Sequence, residues 1–355
     1  MAESFFDLSK ADQREALEYA RAQSGRPAHL LEKDIWVVWA LHALFDSRLT
    51  HDLTFKGGTS LSKVYKIIDR FSEDIDLTYD IRKLIPDLLG DDGGLPTSRS
   101  QANKWTKAVR SRLPDWIISE VLPVLQQALK RDHLDAQIEL GGQDNDKLLL
   151  RYPALMQGTG YVAPVVTLEF GGRATGEPHQ IHDVACDIAE HIPDIVFPIA
   201  SPRVMNVSRT FWEKATAAHV FCAQGRIRGE RYARHWHDLA AIARSPYFSS
   251  VIADRDVAIA VARHKSYFFS EKDAGGHVID YAAAAAGNLK IVPTGKAKVA
   301  LEQDYGAMLA DEIMIGNSVP FDELLKACST VESMANHYVA DETDHNQQSD
   351  SQSKG

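Results

Sequence analysis

Apolar residues recur at helical spacing over residues 9–24 and 28–45, with Ser9 placed to cap the first helix and Gly25 and Pro27 placed to end it. Leu53-Thr54-Phe55 then reads as a short strand running into Gly57-Gly58-Thr59-Ser60, after which Leu61, Val64, Tyr65 and Ile68 fall on one helical face. Ile75-Asp76-Leu77-Thr78-Tyr79 alternates apolar and polar positions, the period of a half-buried strand. Residues 86–100, rich in Gly, Pro and acids, read as a long mobile loop suited to a lid, and the helical pattern resumes from Ala102 to about Leu129. Residues 135–140 and 147–152 form a predicted strand pair across the turn Gly141-Gly142-Gln143-Asp144-Asn145, with a further strand at 165–170. A short strand at 204–207 gives way to helical patterns around Phe211, Asp238 and 251–269, and no internal repeat is evident. This order predicts an α/β (α+β) protein: a mixed sheet flanked by helices over 1–200, a helical C-terminal lobe over 201–340, and a polar, disordered tail over 341–355.

The strand pattern has a chemical consequence. Residues i and i+2 of a strand project from one face, so Asp74 and Asp76 point the same way. Two carboxylates so close repel unless a cation lies between them, and Mg²⁺, which takes hard oxygen ligands and is shared with substrate phosphates, suits the pair. The glycines of Gly57-Gly58-Thr59-Ser60 permit close approach to an anion, and the helix start that follows adds unpaired N–H groups, so a triphosphate fits there. A P-loop is excluded, because Ser62 stands where its second Gly belongs. An EF-hand loop starting at Asp74 is excluded by Thr78 and Tyr79 at its fifth and sixth positions.

Taken together, Gly57, Gly58, Thr59, Arg70, Ser72, Asp74 and Asp76 resemble the first motif of the AbiEii/AbiGii nucleotidyltransferase toxins of type IV toxin–antitoxin and phage-defence systems. That resemblance implies a nucleotidyltransferase fold of the DNA polymerase beta-like superfamily, with these residues binding nucleotide and Asp74 and Asp76 ligating metal. It also implies a third metal carboxylate on a later strand, for which Glu169 in Val165-Val166-Thr167-Leu168-Glu169-Phe170 is the natural candidate. A second region, Phe211-Trp212-Glu213-Lys214 and Arg234-His235-Trp236-His237-Asp238-Leu239, resembles the family's Glu-Lys helix and its Arg-x-x-x-Asp-Leu helix. By position Lys214 would contact nucleotide phosphates, and Asp238 would hold the lysine or the lobe. Ala218 departs from the acid that members often carry four residues after the lysine, so no supporting role is carried over there.

Composition fits such an enzyme. The 355 residues are 45% hydrophobic and 25% charged, enough for two ordinary domains with cores. Cys186, Cys222 and Cys328 lack CxxC spacing, which argues against a disulfide frame or structural zinc. Met1 is followed by Ala-Glu-Ser without a basic or apolar leader, and no run approaches bilayer length, so a cytoplasmic protein is expected.

A net charge of −10 speaks against coating nucleic acid indiscriminately, but leaves local contacts open. The stretch holding Arg203, Arg209, Lys214, Arg226, Arg228, Arg231 and Arg234 is expected to meet substrate, whereas Lys104, Lys107, Arg110 and Arg112 around Trp105 suit either RNA or a solvated helix face. His235 and His237 are spaced i and i+2 on a predicted helix and do not face a common metal.

Chemistry and resemblance jointly imply two-metal nucleotidyl transfer. Asp74, Asp76 and Glu169 would hold Mg²⁺, Gly58, Thr59 and Ser60 would bind phosphates through backbone and hydroxyl donors, and an NTP would donate NMP to an acceptor hydroxyl, foremost a tRNA 3′ end. A cognate antitoxin protein would oppose the resulting block of translation. A protein or small-molecule acceptor remains open, as does a nucleotide-sensing regulator without transfer.

Overall fold

A computed structural model describes the chain except residues 1, 73, 91–93, 159–162, 226–231, 311–313, 315–318 and 353–355, with side chains of 339–352 also outside the description. The chain divides into two compact units, residues 1–66 with 71–205 and residues 67–70 with 206–355. Residues 341–352, expected as part of a disordered tail, are the end of the last helix of the chain, and 353–355 lie outside the described residues, as do the middle of the predicted lid loop at 91–93 and Arg226, Arg228 and Arg231.

The first unit is built on a seven-stranded mixed sheet. Its strands are β1 (Leu53–Lys56), β2 (Asp74–Asp80), β3 (Gln137–Gly141), β4 (Lys147–Arg151), β5 (Val165–Ala174), β6 (His179–Ile181) and β7 (Arg203–Met205). They lie in the order β3-β4-β5-β2-β1-β7-β6. The central pair β2 and β5 is parallel, while β2 also runs antiparallel to β1, and β4 antiparallel to β5. β6 was not anticipated; it is a short edge strand against β7.

Helices α1 (Lys10–Ser24) and α2 (Ala28–Phe45) lie where helical periodicity places them. Ser9 caps α1 by accepting from the Asp12 N–H, and Gly25 closes it in the left-handed region. Almost all of α2 is buried, including Trp36 and Trp39, and three consecutive charged residues go in with it. Burying a charge is costly without a partner. Glu32 accepts from the amides of Leu155 and Met156, and Lys33 donates to the Ala163 carbonyl. Asp34 takes Lys63 at 2.6 Å and the amide of Asp187 at 2.6 Å. Burial pushes the Asp34 carboxyl up against the pull of Lys63, while the two acids together outweigh burial and raise Lys63.

Lys63 of this cluster is the last residue of α3 (Gly57–Lys63), which ends well short of the Ile68 that the apolar stripe suggests. Lys63 is anchored on Asp34 and Asp187, and Lys66 turns the chain in the left-handed region at φ 52°. Ile68 and Arg70 then belong to the second unit. The predicted helix from Ala102 is α4 (Arg99–Trp116), followed through a π-helical turn at Ile117–Val121 by α5 (Leu122–Arg131).

The second unit is helical: α6 (Val207–Gln224), α7 (Arg234–Arg244), α8 (Phe248–Ala253), α9 (Arg255–Phe268), α10 (Gly295–Ala310) and α11 (Phe321–Gln352). Its core gathers Phe211, Trp212, Phe221 and Trp236, with the Trp236 indole donating to the Ile291 carbonyl at 2.6 Å. Among the described residues no helix is long and apolar enough to cross a membrane.

Candidate active site

Alternation along β2 puts Ile75 and Leu77 fully inside, leaving Asp74 and Asp76 half-buried on the opposite face. On β5 the same alternation buries Val166, Leu168 and Phe170 and turns Thr167 and Glu169 the other way. Register then decides the site: Asp74 stands beside Thr167, and Asp76 directly beside Glu169. Residues paired across a ladder project from the same face. The three acids therefore share one face of two adjacent central strands. The same rung continues outward on both sides, to Lys56 opposite Asp76 and to Lys147 opposite Glu169.

Lys147 donates a hydrogen bond to Glu169 Oε1. Partial burial pulls the Lys147 ammonium down, but the bond to Glu169 and the charges of Glu169, Asp146 and Asp74 outweigh it, so its pKa is raised. Asp76 leans on the glycine turn: a Cβ on Gly57 would lie 2.0 Å from Asp76 Oδ2, and Gly57 itself sits at φ 81°. Among the described residues no three His, Cys, Asp or Glu side chains converge as they stand to enclose a metal ion.

Two expectations about the turn need correction. Thr59 and Ser60 are buried, and their hydroxyl protons are already donated, Thr59 to the Asp74 carbonyl and Ser60 to the Gly57 carbonyl at 2.9 Å. A hydroxyl has one proton to give. Thr59 ties the turn to the acid strand, and Ser60 closes the turn on itself, so neither hydroxyl has a proton left for a ligand. Lys56 occupies the position before α3 without capping it through its side chain. Gly58 is buried within the first turn of α3, and Ser72 lies half-buried on the approach to β2.

The second unit holds the remaining residues. Asp238 on α7 is fully buried and accepts a two-pronged contact from Arg70, Nε at 2.9 Å and Nη2 at 2.8 Å. Lys214 on α6 reaches the same carboxylate at 2.9 Å, and His237 Nδ1 lies 3.3 Å away. Burial alone would raise this carboxyl, but Arg70 and Lys214 hold it well below the usual carboxylate range. Arg70, expected among nucleotide ligands, is a buried counter-ion of Asp238 with its side chain 3% exposed. His235 is pushed down to about 3 by burial and by Lys214, and stays a neutral imidazole near pH 7.

The expected basic surfaces are largely committed within the protein. Arg203 donates to His179 and to the His51 carbonyl, and Arg209 is buried against Glu213. Trp105 is 1% exposed and belongs with Ala102, Val109 and Leu113 on the inner face of α4, so it is not a base-stacking residue. Lys104, Lys107 and Arg110 are exposed on the outer face of α4, while Arg112 pairs with Asp87.

The family model described as nucleotidyl transferase AbiEii toxin, type IV TA system, matches residues 39–327. The chain belongs to the AbiEii nucleotidyltransferase toxin family. The solved structure of MenT4, a nucleotidyltransferase toxin from Mycobacterium tuberculosis, is similar at a TM-score of 0.50 and 16% identity, over 92% of this chain and 89% of that one. JHP933 from Helicobacter pylori is similar at a TM-score of 0.43 and 12% identity, over 90% of this chain and 97% of its own. No curated protein sequence matches. The MenT4 likeness speaks to the fold, and the mixed sheet flanked by helices is that of nucleotidyltransferase toxins. As a member of a type IV toxin family, the chain is implied to have an antitoxin partner.

Sequence reasoning passed over two residues that share the rung of the acids, Lys56 and Lys147. Lys56 adjoins the glycine turn and was within sight, but Lys147 became visible only through strand register. The turn yields a direct test. A Gly57→Ala variant places a Cβ against the Asp76 carboxylate in a backbone region that costs a non-glycine residue about 1–3 kcal/mol. Nucleotidyl transfer is expected to fall roughly a hundredfold through displacement of Asp76, with only a few degrees lost in thermal melting.

Proposed function

We propose that this AbiEii-family toxin transfers a nucleoside monophosphate from an NTP to the 3′ hydroxyl of an RNA, foremost tRNA, and so blocks translation in the cytoplasm as part of a growth-arrest or phage-defence system. The observation that carries the reading is the placement of Asp74, Asp76 and Glu169 on one face of neighbouring strands, with Asp76 and Glu169 in direct register. These hard oxygen donors, flanked on their rung by Lys56 and Lys147, fit Mg²⁺ rather than a softer ion. Asp74, Asp76 and Glu169 would hold one or two Mg²⁺ ions, which when bound supply Lewis-acid polarisation of the α-phosphate and a lowered pKa for the acceptor hydroxyl.

In the transfer the acceptor hydroxyl gives its proton to water, its oxygen forms a bond to the α-phosphorus, the bond from that phosphorus to the bridging oxygen breaks, and pyrophosphate leaves with the electron pair. Backbone amides at Gly57 and Gly58 and the ammonium of Lys56 are assigned to the phosphates. Within the second unit Asp238, braced by Arg70, fixes the orientation of Lys214, the lysine that the family resemblance assigns to the nucleotide phosphates. The RNA acceptor follows from the family resemblance, and the cognate antitoxin is expected to suppress the activity.

Incubating the protein with Mg²⁺, total bacterial tRNA and each α-³²P-labelled NTP tests the proposal. Label in tRNA with one or more nucleotides is the expected result. Label in protein instead would move the acceptor to a side chain, and nucleotide binding without label in either pool would replace the enzyme with a nucleotide sensor.

A further inference from the structure

The rung that crosses the active face reads Lys56, Asp76, Glu169, Lys147: two acids side by side with a lysine at each end. Like charges directly opposite on neighbouring strands destabilise the pair. A cation beside Glu169 relieves that repulsion, and the structure supplies one in the Lys147 ammonium on Glu169 Oε1. The fold takes care to put it there. Lys147 opens β4 directly after the tight turn from β3, in which Gly142 adopts φ 83° and its Cα is packed against the Asp146 carboxylate. The Phe170 amide bonds the Asp146 carbonyl at 2.9 Å, locking the residue before Lys147 to the residue after Glu169. The hairpin has its own cross-strand ion pair at the other end, Arg151 with Glu139 at 2.7 Å, so its register does not hang on Lys147. Both partners of the Lys147–Glu169 pair stay about one-third exposed, within reach of an incoming ion.

We propose that Lys147 is a positioning residue that acts as the resident cation of the carboxylate site, holding Glu169 in the metal-free enzyme and yielding it to a divalent cation on loading. This rests on the reading of Asp74, Asp76 and Glu169 as the metal ligands. Lys147 then competes with the ion it makes room for. It offsets the negative charge of Glu169 beside Asp76 before loading, and it weakens the resting affinity so that the site fills fully only when nucleotide phosphates add their own oxygens.

The test is Mn²⁺ binding to the full-length protein without nucleotide, followed by the electron paramagnetic resonance signal of free Mn²⁺. Lys147→Met is expected to bind Mn²⁺ roughly two- to fivefold more tightly than wild type, the span of a partly exposed ion pair, and Lys147→Arg to bind as wild type does. Unchanged affinity in Lys147→Met beside a lowered melting temperature would make the lysine a structural strut and overturn the proposal, as would weaker binding. Asp74→Asn separates this from the parent reading: wild-type binding that survives Asp74→Asn, or no binding by wild type, removes the metal site itself and the proposal with it.

Discussion

An Asp74→Ala/Asp76→Ala double variant is expected to lose nucleotidyl transfer by at least about a thousandfold while remaining folded. Metal-ion stabilisation of a transferring phosphoryl group is worth several kcal/mol, and each 1.36 kcal/mol is about a tenfold change in rate. Both acids are half-buried on the open face of β2, and the core contacts of that strand are made by Ile75 and Leu77 on the other side. Removing two like charges from one face also relieves repulsion. Melting temperature is therefore expected to hold or rise slightly while incorporation of α-labelled NMP disappears. A variant that keeps a tenth or more of the wild-type rate would remove Asp74 and Asp76 from the chemistry.

Asp238→Asn should behave in the opposite way, as a loss of stability first. The carboxylate is fully buried and serves Arg70, Lys214 and His237 at once. Removing its charge leaves two cations facing a neutral amide inside the second unit, and breaking a buried ion pair in this way costs about 3–5 kcal/mol. Urea unfolding at neutral pH should show a loss of that order. The pH dependence carries a sign. The folded-state pKa of Asp238 lies well below 3.8, because Arg70 and Lys214 outweigh burial. Its stabilisation is thus fully present above the unfolded-state value near 4 and is lost as pH falls through the lower folded-state value. The gap between wild type and Asp238→Asn should stay constant from pH 7 to about pH 5 and narrow only in stronger acid. A gap that widens on acidification would contradict the charge assignment. Transfer activity should fall as well, since Lys214 loses the group that orients it.

Much of the site was legible in the letters because its signals are local. The i, i+2 spacing of Asp74 and Asp76 within an alternating run fixes their common face without knowledge of any neighbour, and the glycine turn before a helical pattern is a local feature too. The family resemblance rests on those residues, and the match over 39–327 agrees with it. Helix periodicity likewise located α1 and α4, because an amphipathic pattern reports which side is buried whatever it is buried against, whereas α2, legible as a helix, is buried nearly all round. The same pattern misled at α3, where apolar residues continue to Ile68 but the helix stops at Lys63. At that end Lys63 is paired with Asp34 and Asp187, 29 and 124 residues away in the chain, and Lys66 turns the backbone at φ 52°.

What tertiary structure alone decided is pairing. Strand register placed Glu169 beside Asp76 and Lys147 beside Glu169, and period-2 alternation is blind to register. Folding also spent the Thr59 hydroxyl on the Asp74 carbonyl and sent Arg70 to Asp238, 168 residues along the chain. A sequence names the groups that carry charge and the faces on which they lie. Which of those groups neutralise one another depends on distances of a few ångströms between segments far apart in the chain, and these exist only once the chain has folded.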